Sequence, residues 1–238
     1  MADGVVLDAV FVEETAAETV GTGALVVSAM AAGIAIHVVA DGALDRILDT
    51  VTSPGVAALA PLPRADLGDL AGADLVLVLA GVGDPGNAGT LLRTAEAGGA
   101  GGVVCTLGTV DPFAPKCVGA AAGAVLRVPI VTGVSAVEAL LELGRSGHRR
   151  LGTVLHGGRP HDEVDLRGPI AVVLGNEAHG LPSELSQEQD DLLDELLTIP
   201  MAGPTQSLNV AMAGAVITFE ALRQRRNGRD STGTPDGR

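Results

Sequence analysis

The chain has 238 residues, enough for one large domain or for a full domain accompanied by a smaller one. Fifteen basic residues against 29 acidic residues give a formal net charge of −14, which argues against a surface that coats nucleic acid along its whole length. Two cysteines, Cys105 and Cys117, are too few for a disulfide framework and too far apart for a CxxC motif, so we expect a reducing cytoplasm and no metal site.

The first 62 residues predict a small α/β unit. Its long apolar run, 24–40, is interrupted by Gly33 and His37 and is interpreted as a helix followed by a strand, not as a membrane span. Pro61 and Pro63 lie in a polar segment that is a candidate domain boundary. A first domain is therefore predicted over 1–64. The predicted strands are Val5–Val12, Ile34–Val39 and Val56–Ala60, and the predicted helices are Glu14–Thr19, Leu25–Ala32 and Leu44–Asp49.

After this boundary segment, from Leu75 onward, predicted strands and helices alternate regularly. The predicted strands are Leu75–Ala80, Gly102–Leu107, Val125–Ile130, Gly152–His156, Ile170–Leu174 and Glu195–Ile199. The predicted helices are Ala88–Ala97, Pro115–Ala122, Ser135–Leu143, Pro182–Gln187 and Ser207–Arg226. Several strands are uninterrupted apolar runs, which indicates an α/β domain over 65–227 with a parallel sheet covered on both faces. The polar residues 228–238 are predicted to be a disordered tail.

The segment Gly81–Gly86 follows a strand, precedes a helix and satisfies the GxGxxG dinucleotide pattern. Pro85 removes a backbone donor where a pyrophosphate would need one, and the strand ending at Leu107 lacks the acidic residue that binds a ribose. An NAD-binding oxidoreductase is therefore a minor alternative.

The same helix start carries Asn87 and Arg93 among apolar or small residues. A guanidinium can hold a phosphate or a carboxylate in a bidentate fork. A capping asparagine and a surface arginine are the simpler interpretation of the same two residues.

A second polar loop follows the strand that ends at Leu174. It presents Asn176, Glu177 and His179 before Pro182. Strand carboxyl ends are where α/β proteins bind ligands, although a single loop histidine is weak support for a site.

The third polar loop lies between the short apolar strand ending at Ile199 and the last helix. Gly203 and Pro204 predict a tight turn, and Ser207 is predicted to cap the helix because its hydroxyl can accept hydrogen bonds from the first turn. Backbone groups gathered at such a loop suit a small polar cofactor. An ordinary connection between a strand and a helix is the alternative.

Together the three loops resemble motifs one, two and three of the SpoU family, also called TrmH, of RNA ribose 2′-O-methyltransferases. The matching segments are NxGxxxR from Asn87 to Arg93, LGNExxGL from Leu174 to Leu181, and IPMxGxxxSLNV from Ile199 to Val210. The resemblance covers roughly Leu75 to Arg226. Residues 5–62 are similar, more loosely, to an L30e-like substrate-binding domain that lacks its beginning.

The resemblance implies a SPOUT-type sheet with a C-terminal trefoil knot, a homodimer, and S-adenosylmethionine as cofactor. It implies methylation of a ribose 2′-hydroxyl in RNA, with ribosomal RNA favoured over transfer RNA, and no membrane partner. The cofactor would contact Leu174, Gly175, Asn176, Ile199, Met201, Ser207 and Leu208. The catalytic set would be Arg93, Asn87, Glu177, Ser207 and Asn209.

Three positions depart from the family pattern. Gln206 stands where glutamate is common, Gly119 where arginine is usual, and Ala121 where serine is usual. These departures motivate a second hypothesis, a non-catalytic RNA-binding protein that keeps the knotted fold.

Overall fold

The structure is a computed structural model that describes residues 5–48, 53–185, 192–203 and 207–230, with residues 229 and 230 described by their backbone alone. The chain divides into two compact units, an amino-terminal unit, Met1–Leu62, and a carboxy-terminal unit, Pro63–Arg238. Asp49, Gln187, Pro204, Gln206 and the part of the predicted tail beyond residue 230 lie outside the described residues.

The amino-terminal unit is a three-stranded sheet with two helices. Strand β1 (Ala9–Glu13) is central, parallel to β2 (Ala35–Val39) and antiparallel to β3 (Val56–Leu59). Helices α1 (Glu14–Ala17) and α2 (Val20–Ala31) connect β1 to β2, and a 3₁₀ turn covers Leu44–Arg46. The Thr19 hydroxyl accepts a hydrogen bond from the Thr22 N–H and caps α2.

The carboxy-terminal unit is built on a seven-stranded sheet in the order β6-β5-β4-β9-β7-β10-β8, and every pairing in it is parallel. The strands are β4 (Leu75–Ala80), β5 (Gly102–Cys105), β6 (Ile130–Thr132), β7 (Arg149–Thr153), β8 (Arg159–Pro160), β9 (Ile170–Gly175) and β10 (Glu195–Thr198). The helices are α3 (Pro85–Ala97), α4 (Pro115–Ala121), α5 (Ala136–Arg145) and α6 (Val210–Asp230). Short 3₁₀ segments cover Leu67–Leu70, Ala124–Leu126 and Ser183–Leu185.

The sheet is covered on both faces, as the apolar strands predict. Alternate residues of β4 enter two separate clusters, Leu75, Leu77 and Leu79 in one, and Val76, Val78 and Ala80 in the other. Helices α3, α4 and α6 complete the first cluster, and α5 completes the second. All six residues of β4 are buried, so the carboxyl end of this strand is a rigid support for the loop that follows it.

Several predicted boundaries are wrong. The predicted strand Val125–Ile130 is a 3₁₀ turn at Ala124–Leu126, and the strand begins only at Ile130, after Pro129. The predicted strand Gly152–His156 lies at Arg149–Thr153. The last helix begins at Val210, not at Ser207, and it runs through Asp230, so residues 228–230 are helical and not part of a tail.

Helices α3 and α4 approach closely at Gly89. A Cβ atom at this position would lie 2.4 Å from the Cys117 carbonyl oxygen and 2.6 Å from the Ala120 Cβ. We expect Gly89→Ala to lower the free energy of unfolding by about 1–3 kcal/mol, because one contact is with backbone and cannot be relieved by a rotamer change. Urea unfolding measures the effect.

Gly119→Ala is the matched control for this prediction. It makes the same substitution within α4, where a Cβ has nothing within 4 Å. We expect no loss of stability, and a gain of about 0.5–1 kcal/mol from the higher helix propensity of alanine. Equal losses in both variants would show that the close approach at Gly89 does not matter.

Among the described residues, no helix is long and apolar enough to cross a membrane.

Candidate functional site

The three polar loops predicted from the sequence follow β4, β9 and β10. Because all strands of this sheet are parallel, the loops emerge from the same edge. The first two strands are direct neighbours, and β7 separates β9 from β10. The fold therefore places the three loops at the edge where α/β proteins bind their ligands.

The Glu177 carboxylate lies at the amino terminus of α3. It accepts hydrogen bonds from the Gly83 N–H at 3.2 Å, from the Asp84 N–H at 3.3 Å and from the Asn87 side-chain amide at 2.9 Å. A helix amino terminus attracts negative charge because its first N–H groups have no partner within the helix. The second loop is thus fastened to the first by a carboxylate in the position that a phosphate would take in a dinucleotide-binding protein.

Asn87 connects the first loop to the third. Its side-chain oxygen accepts a hydrogen bond from the Asn209 side-chain amide at 2.8 Å. The Asn209 oxygen in turn accepts from the Ala211 N–H at 2.9 Å and the Met212 N–H at 3.3 Å, so Asn209 caps α6. This corrects the prediction that Ser207 is the cap. Glu177, Asn87 and Asn209 therefore form one continuous network through all three loops.

Hydrogen bonds made by Asn176 fix the shape of the second loop. The Asn176 amide donates to the Gly81 carbonyl at 2.8 Å, and its oxygen lies within hydrogen-bond distance of the Ala178 N–H, the His179 N–H and the His179 ring. The Asn176 N–H and the Gly180 N–H exchange hydrogen bonds with the carbonyl of the other residue. Asn176 is therefore a loop-shaping residue with few groups left for a ligand.

The strands that carry the second and third loops extend beyond their neighbour β7. The ladder between β7 and β9 ends at Val173, whereas the ladder between β4 and β9 continues through Gly175. On the other side, β10 pairs with β7 only as far as Leu197. The backbones of Leu174, Gly175 and Ile199 thus lie past the β7 ladders, where their polar groups can meet a ligand.

The remaining predicted residues take no part in this network. Arg93 lies six positions after Asn87 on α3, about 9 Å along the helix axis. It is exposed and, within the described part of the chain, makes no hydrogen bond or ion pair. Ser207 and Met201 are exposed and Leu208 is half-buried, with no side-chain hydrogen bond described for any of the three.

Sequence reasoning missed two residues that shape the site. Asp84 accepts a hydrogen bond from the Asn87 N–H at 2.8 Å and caps α3, and the Thr109 hydroxyl joins the Gly81 N–H to the Leu79 carbonyl. An aspartate directly before a proline at the first helical position is a signal that would have predicted the cap. No local pattern predicts the role of Thr109, because its partners lie 28 and 30 positions away.

The pKa of Glu177 is lowered below its ordinary value of 4.5. Burial alone raises this pKa, but the hydrogen bonds from Asn87, Gly83 and Asp84 favour the ionised form and together outweigh burial. A folded-state pKa below the unfolded one means that the network stabilises the protein above about pH 4.5, and that this contribution is lost as the pH falls through the lowered value.

We therefore expect Glu177→Gln to reduce stability at neutral pH and to approach the wild-type stability on acidification. Thermal unfolding between about pH 3 and pH 8 measures the difference between the two curves. Glu184→Gln, in an exposed position nearby, controls for the loss of one charge. A constant gap between wild type and Glu177→Gln across this range would contradict the assignment.

A parallel sheet whose carboxyl edge carries three loops joined by one hydrogen-bond network defines an α/β ligand-binding protein. Residues 74–219 match the model of the SpoU rRNA Methylase family. The chain therefore belongs to this family, and the family predicted from the motifs is confirmed.

Two named proteins are among those to which the chain is similar. It is 34% identical over 187 residues to the 23S rRNA (guanosine(2553)-2′-O)-methyltransferase RlmP of Bacillus subtilis, covering 79% of this chain and 72% of the relative. It is 35% identical over 206 residues to an uncharacterized tRNA/rRNA methyltransferase of Synechocystis, covering 83% of this chain. The chain spans about half, 53%, of the length of the Synechocystis protein.

Among solved structures, the chain is similar to an AdoMet-bound rRNA methyltransferase from Sinorhizobium meliloti. The TM-score is 0.78 with 28% sequence identity, and the match covers 92% of this chain and 81% of that structure. The predicted large parallel α/β sheet is thus confirmed both by the strand pairing and by this likeness.

Proposed function

We propose that this protein transfers a methyl group from S-adenosylmethionine to a ribose 2′-hydroxyl of RNA. The observation that carries the proposal is the network through Glu177, Asn87 and Asn209, because it joins all three motif loops of the family at one edge of the sheet. Ribosomal RNA is the favoured substrate, since the sequence relatives RlmP and RlmB are named as 23S rRNA guanosine 2′-O-methyltransferases.

The residues at this edge fit S-adenosylmethionine. The backbones of Leu174, Gly175 and Ile199 lie beyond the β7 ladders and offer the polar groups that hold a cofactor through main-chain contacts. The Glu177 carboxylate fills the anion position at α3, which favours a positively charged sulfonium over the pyrophosphate of NAD. Met201, Ser207 and Leu208 complete the proposed cofactor-binding set, and Asn176, predicted with them, shapes the loop that holds it.

When bound, S-adenosylmethionine supplies an electrophilic methyl group whose neutral thioether leaving group needs no proton. The task left to the protein is to hold the 2′-oxygen in line and to deal with its proton. The Arg93 side chain makes no hydrogen bond or ion pair among the described residues, so its guanidinium is available for an RNA phosphate. Because a guanidinium essentially never deprotonates, Arg93 positions the RNA while the phosphate or a water accepts the proton.

Asn87, Glu177 and Asn209 are positioning residues in this mechanism. They fix the start of α3, and with it the direction of Arg93 about one and two-thirds turns later. Ser207 is proposed to contact the ligands, since its hydroxyl is exposed and does not cap α6.

We further propose a homodimer and a trefoil knot. Met212, Val216 and Phe219 recur at helical spacing and are exposed along α6, which supports a partner on this face. Strand β10 lies between β7 and β8, which both precede it in sequence. A Cβ at Gly158 would lie 2.6 Å from the Leu197 carbonyl carbon, so this segment runs tightly against β10, as a threaded chain would.

Calorimetric titration with S-adenosylmethionine tests the proposal, with S-adenosylhomocysteine and NAD as comparison ligands. We expect saturable binding of the first two, about one per subunit, and none of NAD. Labelled-methyl transfer to rRNA fragments then tests catalysis. Cofactor binding without transfer to any RNA would favour the non-catalytic alternative, and NAD binding alone would overturn the proposal.

A further inference from the structure

Three residues of α3 lie along the side of the helix that meets α4. Gly89, Arg93 and Glu96 follow one another at intervals of four and three, which places them on one side of the helix. Gly89 is packed against α4, and Glu96 pairs with Arg127, which directly follows the 3₁₀ segment after α4. The exposed Arg93 therefore lies between a packing contact and an ion pair.

The Arg127 guanidinium holds the Glu96 carboxylate with two hydrogen bonds. Its Nε donates to Oε1, and its Nη2 donates to Oε2 at 3.1 Å. The guanidinium also lies against backbone, since Nη2 is 3.5 Å from the Ala122 carbonyl oxygen and a Cβ at Gly123 would be 2.9 Å from Nη1. This two-point pairing is the geometry in which arginine binds a carboxylate most strongly. Both oxygens of Glu96 are therefore engaged by one arginine.

A second arginine, Arg93, is within reach of Glu96. Residues three apart on a helix are neighbours, and helices α5 and α6 each contain a glutamate and an arginine at this spacing that form an ion pair, at 3.1 Å and 2.7 Å. The pKa of Glu96 is lowered mainly by the hydrogen bond from Arg127, against the effect of burial, and the charges of Arg127 and Arg93 lower it further. Arg93 thus acts on the carboxylate electrostatically, although the two residues form no ion pair in the described part of the chain.

We propose that Arg127 is a positioning residue that keeps Arg93 available to RNA by holding Glu96. Without Arg127, the Glu96 carboxylate would pair with Arg93 in competition with an RNA phosphate. The released carboxylate would also repel that phosphate, because the two carry charges of the same sign. The inference rests on the proposed function, since it concerns the arginine that positions the RNA there.

The test compares labelled-methyl transfer to rRNA fragments by the wild type, Arg127→Ala, Glu96→Gln and the double variant that combines both changes. We expect Arg127→Ala to lower kcat/KM for RNA by about three- to tenfold, the combined effect of one exposed ion pair and the repulsion of one phosphate. Glu96→Gln alone and the double variant should both remain within about twofold of the wild type, because neither contains the competing carboxylate.

Other roles of Arg127 give different patterns. If the ion pair only fastened α3 to the 3₁₀ segment, Glu96→Gln would lower the rate as much as Arg127→Ala. If Arg127 itself bound RNA, the double variant would remain as slow as Arg127→Ala. Either pattern, or an unchanged rate in Arg127→Ala, overturns the proposal.

Arg145→Ala is the matched control, because it releases Glu142 from an exposed ion pair at the end of α5. We expect this variant to transfer methyl groups at nearly the wild-type rate. A loss equal to that of Arg127→Ala would show that any released carboxylate slows the reaction, and it would also overturn the proposal.

An NMR titration of the Glu96 carboxyl group tests the inference without RNA or cofactor. We expect the pKa of Glu96 to remain below its ordinary value of 4.5 in Arg127→Ala, because Arg93 then pairs with the carboxylate, and to rise when Arg93→Ala is added. Equal pKa values in these two variants would overturn the proposal. If the wild type transfers no methyl group to RNA, the proposed function fails, and this titration alone decides whether Arg127 keeps Glu96 away from Arg93.

Discussion

Arg93→Ala is expected to lower the rate of methyl transfer by about 10²–10⁴-fold while leaving the affinity for S-adenosylmethionine within about twofold. The physical reason is that Arg93 is the exposed cation of α3, on the same helix as Asn87, and has no intramolecular hydrogen bond or ion pair to lose among the described residues. Single-turnover transfer of labelled methyl to rRNA, together with calorimetric titration of the cofactor, measures both quantities.

Two further variants sharpen this prediction. Arg93→Lys keeps the charge but loses the bidentate fork, so we expect an intermediate rate. Arg145→Ala removes an exposed arginine from the end of α5 and should leave the rate nearly unchanged. Full transfer activity in Arg93→Ala would show that Arg93 has no role in the reaction, whereas a matching loss in Arg145→Ala would point to general electrostatic attraction of RNA.

The sheet and the site were predictable from the sequence for different physical reasons. Strand β4 is an uninterrupted apolar run of six residues, and only a strand buried on both faces tolerates such a run, so the parallel sheet followed directly. The site was predictable because its three loops carry short motifs in a fixed order. That Glu177 and Asn87 share a hydrogen bond was not predictable, since they lie 90 positions apart.

Errors arose where neighbouring residues compete for the same local role. Ser207 and Asn209 are both good capping residues, and only the contact of Asn209 with Asn87 shows which one caps α6. The run at Val125–Ile130 is apolar enough for a strand, but Gly123 takes a φ of 87° and opens a 3₁₀ turn in its place. A tertiary contact decides the first case, and a local glycine turn decides the second.

Gly175→Ala is expected to abolish measurable binding of S-adenosylmethionine at concentrations that saturate the wild type. A Cβ at this position would lie 2.3 Å from both the carbonyl carbon and the carbonyl oxygen of Gly180, and 2.6 Å from the Leu181 nitrogen. All three atoms belong to backbone, so the loop from Asn176 to Gly180 must move as a whole, at a cost of about 1–3 kcal/mol or more. Calorimetric titration measures the affinity, and urea unfolding measures the stability.

The loop cannot move without consequences for the rest of the site. It carries Asn176, which is bonded to the Gly81 carbonyl, and Glu177, which holds the start of α3. A shift here therefore displaces the groups that the cofactor would contact and the helix that carries Arg93. Gly168→Ala is the matched control, since it precedes the amino end of the same strand and its Cβ would have nothing within 4 Å. Wild-type affinity in Gly175→Ala would show that the cofactor does not bind at the carboxyl end of β9, whereas equal losses in both variants would reflect damage to β9 itself.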